Sequence, residues 1–161
     1  MKMNFFSKAL SFALLAGTFV IASCDKNDDN DNTNGKMYTV SGNGSGAQVV
    51  PVVSTTATSN LTGTYNSGTN QLQYNVSWTG LALTADSVRF YGPASSGVNA
   101  TGNAQFRAAI TTPGVAGSAS GTTTLTEAQE TDLLAGHWYY TVSNATHLTG
   151  EVRGQVTTVA Q

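Results

Sequence analysis

The sequence predicts an all-β domain, a β-sandwich or β-barrel with one short helix near residues 126–135. Residues 37–161 are rich in Thr, Ser, Gly, Val and Asn and poor in Lys, Glu and Leu, which favours strands and turns over helices. In the run 72–78 (LQYNVSW) every second residue is apolar, the period of a strand with one buried face. Turn residues separate several such runs at a spacing that is typical of sandwiches and barrels.

The strand-like runs follow one another along the domain. They share a short length, β-branched or aromatic residues and flanking turn residues, and they cover residues 61–65, 72–78, 88–91, 105–110, 121–125, 138–142 and 151–159. The segment 66–70 (NSGTN) has the composition of a hairpin loop. The glycine-rich stretches 42–46 (GNGSG) and 117–121 are interpreted as a loop and a break, because glycine weakens a strand interior.

One segment has the pattern of a helix. Thr126 and Gln129 have the spacing of a capping box, in which the threonine hydroxyl accepts from the glutamine N–H and the glutamine side chain reaches back. Gly136 closes the segment after about two turns. The acidic residues 127, 130 and 132 lie in its first half, where the helix dipole favours negative charge. We therefore interpret these carboxylates as helix-stabilising rather than catalytic.

The N-terminus has the pattern of an export signal over residues 1–23. Lys2 and Lys8 precede an uncharged, apolar run over residues 9–22. That run is too short to span a bilayer, which needs about 20 residues in a helix. It ends in Ile21-Ala22-Ser23-Cys24, which resembles the lipobox of bacterial lipoproteins. A buried N-terminal helix of a cytosolic protein is the alternative.

Cys24 is the predicted lipidation site. It is the only cysteine of the chain, so an intrachain disulfide is impossible and a lone exported thiol needs another explanation. Acyl chains such as palmitate on this residue would anchor the protein without a spanning helix, at about 0.8 kcal/mol per buried CH2. The alternative is an unmodified cysteine that is removed with the signal peptide.

Residues 24–36 are predicted to be a disordered acidic tether. Their aspartates repel one another, and the remaining Asn and Gly residues offer no apolar surface to bury. Acidic residues directly behind the cysteine loosely resemble a surface-export signal of lipoproteins. A calcium loop is the alternative, but the stretch lacks the closing bidentate glutamate of such a loop.

The charges of the predicted domain, residues 37–161, argue against nucleic-acid binding. It contains three arginines and five carboxylates, which gives a net charge of −2, and the arginines form no basic cluster in the sequence. Catalytic motifs are also missing from the sequence: no serine has the setting of a nucleophile elbow, and no phosphate-binding glycine fingerprint precedes a helix. We therefore expect no enzymatic activity and no cofactor.

Several motifs of the domain resemble the CHRD (chordin-type) family. The most specific is 150–155 (GEVRGQ), preceded by 134–142 (LAGHWYYTV) and, further upstream, by 91–94 (YGPA) and 46–51 (GAQVVP). The resemblance covers roughly residues 38–156, and it implies an Ig-like Greek-key sandwich or barrel.

The chain departs from the family pattern at positions that could bind a metal. The pattern has histidines where this chain has Arg89, Tyr91 and Ser143, and an acidic residue where it has Val49. The two histidines of the chain, His137 and His147, fall in predicted loops. We expect no metal site, although a metal-binding protein or metalloenzyme related to the His-bearing members is the alternative function.

The closing motif gives two further sets of candidate residues. Its members, Gly150, Glu151, Arg153, Gly154 and Gln155, form either a polar binding face or, as we favour, a structural ion pair and hydrogen-bond ladder. The candidate ligand-facing side chains are Trp138, Tyr139, Tyr91 and Arg89. Exposed aromatic rings stack against sugars, so a carbohydrate-binding surface module is a further alternative.

Together these features predict a non-enzymatic, lipid-anchored protein of a bacterial cell envelope that displays a CHRD-like binding or structural domain. The expected location is the outer membrane, facing the periplasm or the cell surface. Its expected partners are the membrane, through the lipid on Cys24, and a protein or glycan ligand.

Overall fold

The computed structural model describes residues 35–161, which form one highly curved β-sheet and one α-helix. The strands are β1 Met37–Ser45, β2 Thr58–Asn66, β3 Gln71–Thr79, β4 Ala85–Tyr91, β5 Phe106–Ala108, β6 Ile110–Thr112, β7 Gly117–Thr124, β8 Tyr139–Asn144, β9 His147–Gln155 and β10 Thr157–Ala160. The helix α1 covers Glu127–Leu134, and a 3-10 turn covers Gly46–Gln48. The predicted leader 1–23, Cys24 and the tether as far as residue 34 lie outside the described residues.

The strands pair antiparallel in the order β5-β4-β8-β9-β1-β2-β3-β7-β6, and β10 pairs with β1 beside β9. The two end strands, β5 and β6, are separated by a single residue, Ala109. The sheet therefore curls into a nearly closed barrel. This confirms the predicted all-β class with one short helix. No helix within residues 35–161 is long and apolar enough to cross a membrane.

The inner face of the barrel carries the core. Burial along β3 alternates residue by residue, as the sequence pattern predicted. The aromatic part of the core centres on Phe90, whose ring stacks on Phe106 with centroids 4.5 Å apart. The rings of Tyr74 and Tyr140 lie 5.4 Å and 5.9 Å from Phe90. Such ring pairs stabilise a core by about 0.5–1.5 kcal/mol each beyond the area that they bury.

Two predicted strands are interrupted in the structure. The predicted strand 105–110 is divided into β5 and β6, which end and begin on either side of Ala109. The predicted strand 151–159 is divided at Val156, whose N–H donates to the carbonyl oxygen of Trp138 before the chain continues as β10. These breaks let the chain change partner strand without leaving the sheet.

The interpretation of residues 117–121 as a break is wrong, because they begin β7. In the register of β3 and β7, Gly117 lies opposite Trp78 and Gly121 opposite Tyr74. A β-carbon on either glycine would come within 2.8 Å of the facing aromatic ring or its hydroxyl. At Gly117 the carbonyl oxygen of Thr112 would be closer still. Glycine is therefore required at both positions, although it lowers the local strand propensity.

The interpretation of residues 42–46 as a loop is also wrong over most of its length. Gly42 and Gly44 lie within β1, and their missing side chains leave space for the ring of Tyr140. A β-carbon on Gly42 would lie 3.2 Å from the ring, and one on Gly44 would lie 3.1 Å from its hydroxyl oxygen. The carbonyl oxygen of Gln155 and the Ser59 hydroxyl would be closer still to β-carbons on Gly42 and Gly44. Close neighbours on other strands thus explain both errors.

The predicted helix is confirmed together with its capping box. Thr126 Oγ1 accepts from the Gln129 N–H at 3.3 Å, and Gln129 Oε1 accepts from the Thr126 N–H at 2.9 Å. Gly136 follows the helix with a φ of 72°, a conformation that glycine adopts without strain. Leu133 is the helix residue that is buried in the core.

Tyr140 makes the stability of the barrel sensitive to alkaline pH. Burial raises the pKa of its phenol from 10.0 to about 12, although the hydrogen bond with Ser59 acts in the opposite direction. Below pH 10 the phenol is protonated in both the folded and the unfolded state. Between pH 10 and about 12 only the unfolded chain releases the proton, so we expect stability to fall by about 1.4 kcal/mol per pH unit for this residue.

Urea unfolding at several pH values between 8 and 11.5 measures this loss. Tyr140→Phe should be less stable near neutral pH, because Ser59 loses its partner, but its stability should fall less steeply above pH 10. Tyr65 and Tyr74, whose pKa values are also raised by burial, titrate in both proteins and leave a residual slope. Equal slopes in the two proteins would contradict the prediction.

Candidate functional site

The outer face of β4, β8 and β9 gathers most of the candidate residues. Strand register aligns Tyr91 with Tyr139 and Tyr139 with Gln155. These residues form one row across the three strands, and a second row aligns Arg89 with Thr141 and Thr141 with Arg153. Because side chains alternate along a strand, these two rows share the face that is opposite to the core.

Arg153 occupies the centre of this face. Its side chain is only 2 % exposed, and its guanidinium carbon lies 3.7 Å from the centroid of the Tyr139 ring. Nη1 donates to Asn99 Oδ1 at 3.3 Å, and Nη2 donates to the carbonyl oxygen of Val98 at 2.8 Å. Both acceptors are neutral. Burial lowers the pKa of Arg153 below its ordinary value, and an arginine still remains protonated.

Beside Arg153 the outer face forms a cavity of about 210 Å³, which we call the Arg153 pocket. Val49, Val50 and Leu148 form its apolar wall. Its other side is formed by the rings of Tyr91 and Tyr139, which stack with centroids 5.2 Å apart. The polar lining comes from Asn99, Thr149, Thr141 and Arg153, with the backbone of residue 100.

Two hydroxyl groups of the Arg153 pocket have hydrogen-bonding capacity to spare. Thr141 Oγ1 is buried and has no hydrogen-bond partner within the described part of the chain. Tyr139 Oη accepts from the N–H of Ala100 at 3.2 Å, which leaves its own proton available for donation. A buried hydroxyl without a partner costs about 1–3 kcal/mol, so a ligand that bonds to it would gain from the contact.

A second cavity of about 350 Å³ is also lined by Arg153, together with residues 47–50 and Val52. Gln155 lines it, and its Nε2 donates to the carbonyl oxygens of Ala94 and Gly136. Gln155 Oε1 is buried without a partner in residues 35–161. Gln155 therefore ties the loop after β4 to the end of α1.

Glu151 is fully buried and lies more than 4 Å from the guanidinium of Arg153. Its carboxylate accepts hydrogen bonds from Thr55 Oγ1, from the N–H of Ala82 and from Asn144 Nδ2. Among residues 35–161, the one acid–base contact within 4 Å joins its Oε2 to His147 Nδ1 at 3.9 Å.

The predicted ion pair between Glu151 and Arg153 is therefore wrong, and each of the two side chains is instead hydrogen-bonded to other segments. Neutral donors from three separate segments satisfy the carboxylate, so it does not need the guanidinium. The remaining members of the motif have geometric roles. Gly150 has a φ of 126°, which disfavours any side chain, and Gly154 lies directly under the ring of Tyr140.

A family model for the CHRD domain matches residues 40–156. The chain belongs to the CHRD family. No curated protein and no solved structure matched the chain in the other two comparisons. The predicted family membership is thus confirmed over nearly the whole barrel, and it supports a binding or structural role for the domain.

Three of the four positions at which this CHRD domain departs from the family pattern lie on the outer face, and the fourth, Val49, follows the 3-10 turn and lines the Arg153 pocket. Arg89 and Tyr91 belong to β4, and Ser143 lies beside them on β8, where its hydroxyl accepts from Ser87 Oγ at 3.2 Å. Within residues 35–161, no group of three or more His, Cys, Asp or Glu residues is placed to hold a metal ion. His147 is instead paired with Glu151, and the backbone carbonyl of His137 accepts from the N–H of Ala94.

The aromatic candidate residues of the CHRD domain lie in different environments, one in the core and two in the Arg153 pocket. Trp138 is 0 % exposed and packs in the core with Phe106 at 6.2 Å, which corrects the prediction that it faces a ligand. Strand alternation explains the error, because Trp138 and Tyr140 share the inner face. Tyr139 and Tyr91 line the Arg153 pocket, and Arg89 is half-buried in the adjacent row without lining the pocket.

Sequence reasoning missed most of the pocket lining, including two of its polar side chains, Thr141 and Asn99. Thr141 alternates with Tyr139 in the predicted strand 138–142, so its outward direction was available from the pattern. Asn99 lies in an irregular loop, and its contact with Arg153 joins residues far apart in the sequence, so no local pattern identifies it.

Proposed function

We propose that this protein is a non-enzymatic lipoprotein of a bacterial cell envelope, whose CHRD domain binds a ligand in the Arg153 pocket. The observation that carries the binding role is the pocket itself. It joins a buried guanidinium without an acidic partner to a buried hydroxyl without any partner in the described chain. Both groups are donors that a ligand would satisfy.

The lining of the pocket supports binding rather than catalysis. It contains two tyrosines, two threonines, an asparagine and an arginine among apolar residues, but neither a carboxylate, an imidazole nor a thiol. General acid–base and nucleophilic catalysis near neutral pH depend mostly on those missing groups. The outer face also lacks the basic surface that nucleic acids require.

The anchoring part of the proposal is supported by the sequence of the N-terminus. Lys2 and Lys8, the apolar run 9–22 and the small residues before Cys24 follow the order of a lipoprotein signal. In that scheme Cys24 carries acyl chains in the outer membrane, and residues 25–36 form the spacer to the CHRD domain. The domain faces either the periplasm or the cell surface.

Cys24→Ala is the test of the anchor. The variant should lose palmitate labelling and should move from the membrane fraction to the soluble fraction, because the apolar run alone is too short to span a bilayer. Fractionation of cells grown with labelled palmitate, followed by detection with an antibody to the domain, measures both effects.

Ser23→Gly is the matched control, since it changes the neighbouring residue but keeps a small side chain before the cysteine. This variant should remain labelled and membrane-bound. Membrane association of Cys24→Ala equal to that of the wild type would refute the lipid anchor.

A further inference from the structure

We propose that the Arg153 pocket binds the carboxylate group of a small organic acid that carries an apolar side group. This inference rests on the proposed binding function and specifies its ligand class. It is argued from the charge, the free donors and the walls of the pocket.

The charge of Arg153 has no counterion in the described chain. No acidic oxygen within residues 35–161 lies within 4 Å of its guanidinium. A buried charge is costly unless it is paired, so an anion would gain from this position. An arginine has five N–H donors, and the contacts with Asn99 and Val98 use two of them. The remaining donors suit the two oxygens of a carboxylate, which arginine binds in a forked geometry.

The hydroxyl groups beside Arg153 each have a proton that a ligand could accept. Thr141 lies directly opposite Arg153 in the strand register, and its buried hydroxyl has no acceptor among residues 35–161. The Tyr139 hydroxyl accepts from Ala100 and has its proton to give. Asn99 Oδ1 is already occupied by Arg153. An ionised carboxylate accepts several hydrogen bonds at once, so it can take a proton from each hydroxyl as well as from the donor-only guanidinium.

The walls and the size of the pocket limit the rest of the ligand. Val49, Val50 and Leu148 form an apolar wall, and Leu148 is exposed at the rim. The volume of about 210 Å³ exceeds that of a cavity of about 150 Å³ that accepts benzene. An aliphatic or aromatic group of the size of one amino-acid side chain would therefore fit beside the carboxylate. Inorganic phosphate would leave the apolar wall without contacts.

A carboxylate next to an apolar group occurs both in a free organic acid and in the C-terminal residue of a peptide. Isothermal titration calorimetry of the full-length protein in detergent distinguishes these sources with three probes. They are N-acetyl-phenylalanine, its C-terminal amide, and a tetrapeptide that ends in phenylalanine with a free carboxylate. We expect the two acids to bind and the amide to bind at least tenfold more weakly. A stronger response to the tetrapeptide identifies a peptide terminus, and a stronger response to N-acetyl-phenylalanine identifies a free acid.

Thr141→Val is the decisive variant, since its hydroxyl bonds to nothing in the described chain and its loss should not lower the thermal midpoint. It should weaken binding of the acids about five- to tenfold, the effect of one hydrogen bond. Thr62→Val, on the outer face of β2, is the matched control and should bind like the wild type. Arg153→Gln should abolish binding, with Arg107→Gln as its control and the thermal midpoint as the check of folding.

Equal binding of the amide and the acid would overturn the carboxylate assignment while leaving a binding function in place. Wild-type affinity in Thr141→Val would overturn it as well. Absence of heat with all three probes would refute both the carboxylate and the use of this pocket. The membrane anchor is tested separately through Cys24, so its failure is recognised independently.

Discussion

Replacing Glu151 with alanine is expected to lower the free energy of unfolding by about 3–5 kcal/mol, because it removes the acceptor for three buried or half-buried donors. Glu151 is 0 % exposed. The donors belong to Thr55 before β2, Ala82 after β3 and Asn144 at the end of β8. Without the carboxylate, the Ala82 N–H and the Asn144 amide are left without this partner, and three segments of the chain lose their common contact.

Chemical denaturation of the wild type and the variants measures the effect. Glu151→Gln keeps the shape of the side chain, but its amide NH2 group points toward other donors. The variant should therefore lose about 2 kcal/mol of unfolding free energy, less than the alanine variant. Glu127→Gln in the first turn of α1 is the control for loss of a carboxylate, and it should change stability by no more than about 0.5 kcal/mol. A cost below about 1 kcal/mol for Glu151→Ala would contradict the role of Glu151 as a structural centre.

Local patterns in the sequence were sufficient for the elements that stabilise themselves locally. The alternation in 72–78 is preserved residue by residue in β3, since one face of that strand contacts the core and the other contacts solvent. The capping box joins Thr126 and Gln129, which are only three residues apart, so the sequence pattern directly identifies the contact. Such elements depend little on where the rest of the chain lies.

Glycine could not be interpreted from local patterns. At Gly44 and Gly117 the sequence signal is a turn, while the structural reason for the residue is a close neighbour on another strand, the Ser59 side chain at Gly44 and the Thr112 carbonyl oxygen at Gly117. The candidate site was limited in the same way. The motif around Arg153 was recognised, but its acceptors come from Val98 and Asn99, more than 50 positions away in the chain. Sequence patterns alone therefore identify Arg153 but assign it the wrong partner, Glu151.

The second large loss of stability is expected at Gly154, where a glycine makes room for an aromatic ring. This residue pairs with Tyr140 across β8 and β9. A β-carbon here would lie 2.6–2.8 Å from two ring carbons and the hydroxyl oxygen of Tyr140. We expect Gly154→Ala to cost about 2–3 kcal/mol and Gly154→Val to cost more, as overpacking in a fixed core does. Thermal or urea unfolding measures both. Gly102→Ala is the control, since a β-carbon there meets nothing within 4 Å, and it should cost nothing.

The cost at Gly154 depends on whether the ring of Tyr140 is able to move. Its hydroxyl is held by Ser59 Oγ at 3.0 Å and by the carbonyl oxygen of Gly42 at 3.3 Å, and β1 closes the other side. The steric cost should therefore disappear when the ring is removed. Tyr140→Ala alone should cost about 3–5 kcal/mol, but Gly154→Ala should cost almost nothing further in that background. The double-mutant cycle should give a coupling of about 2–3 kcal/mol between the two residues. Additive costs would mean that the barrel, and not the ring, excludes a side chain at Gly154.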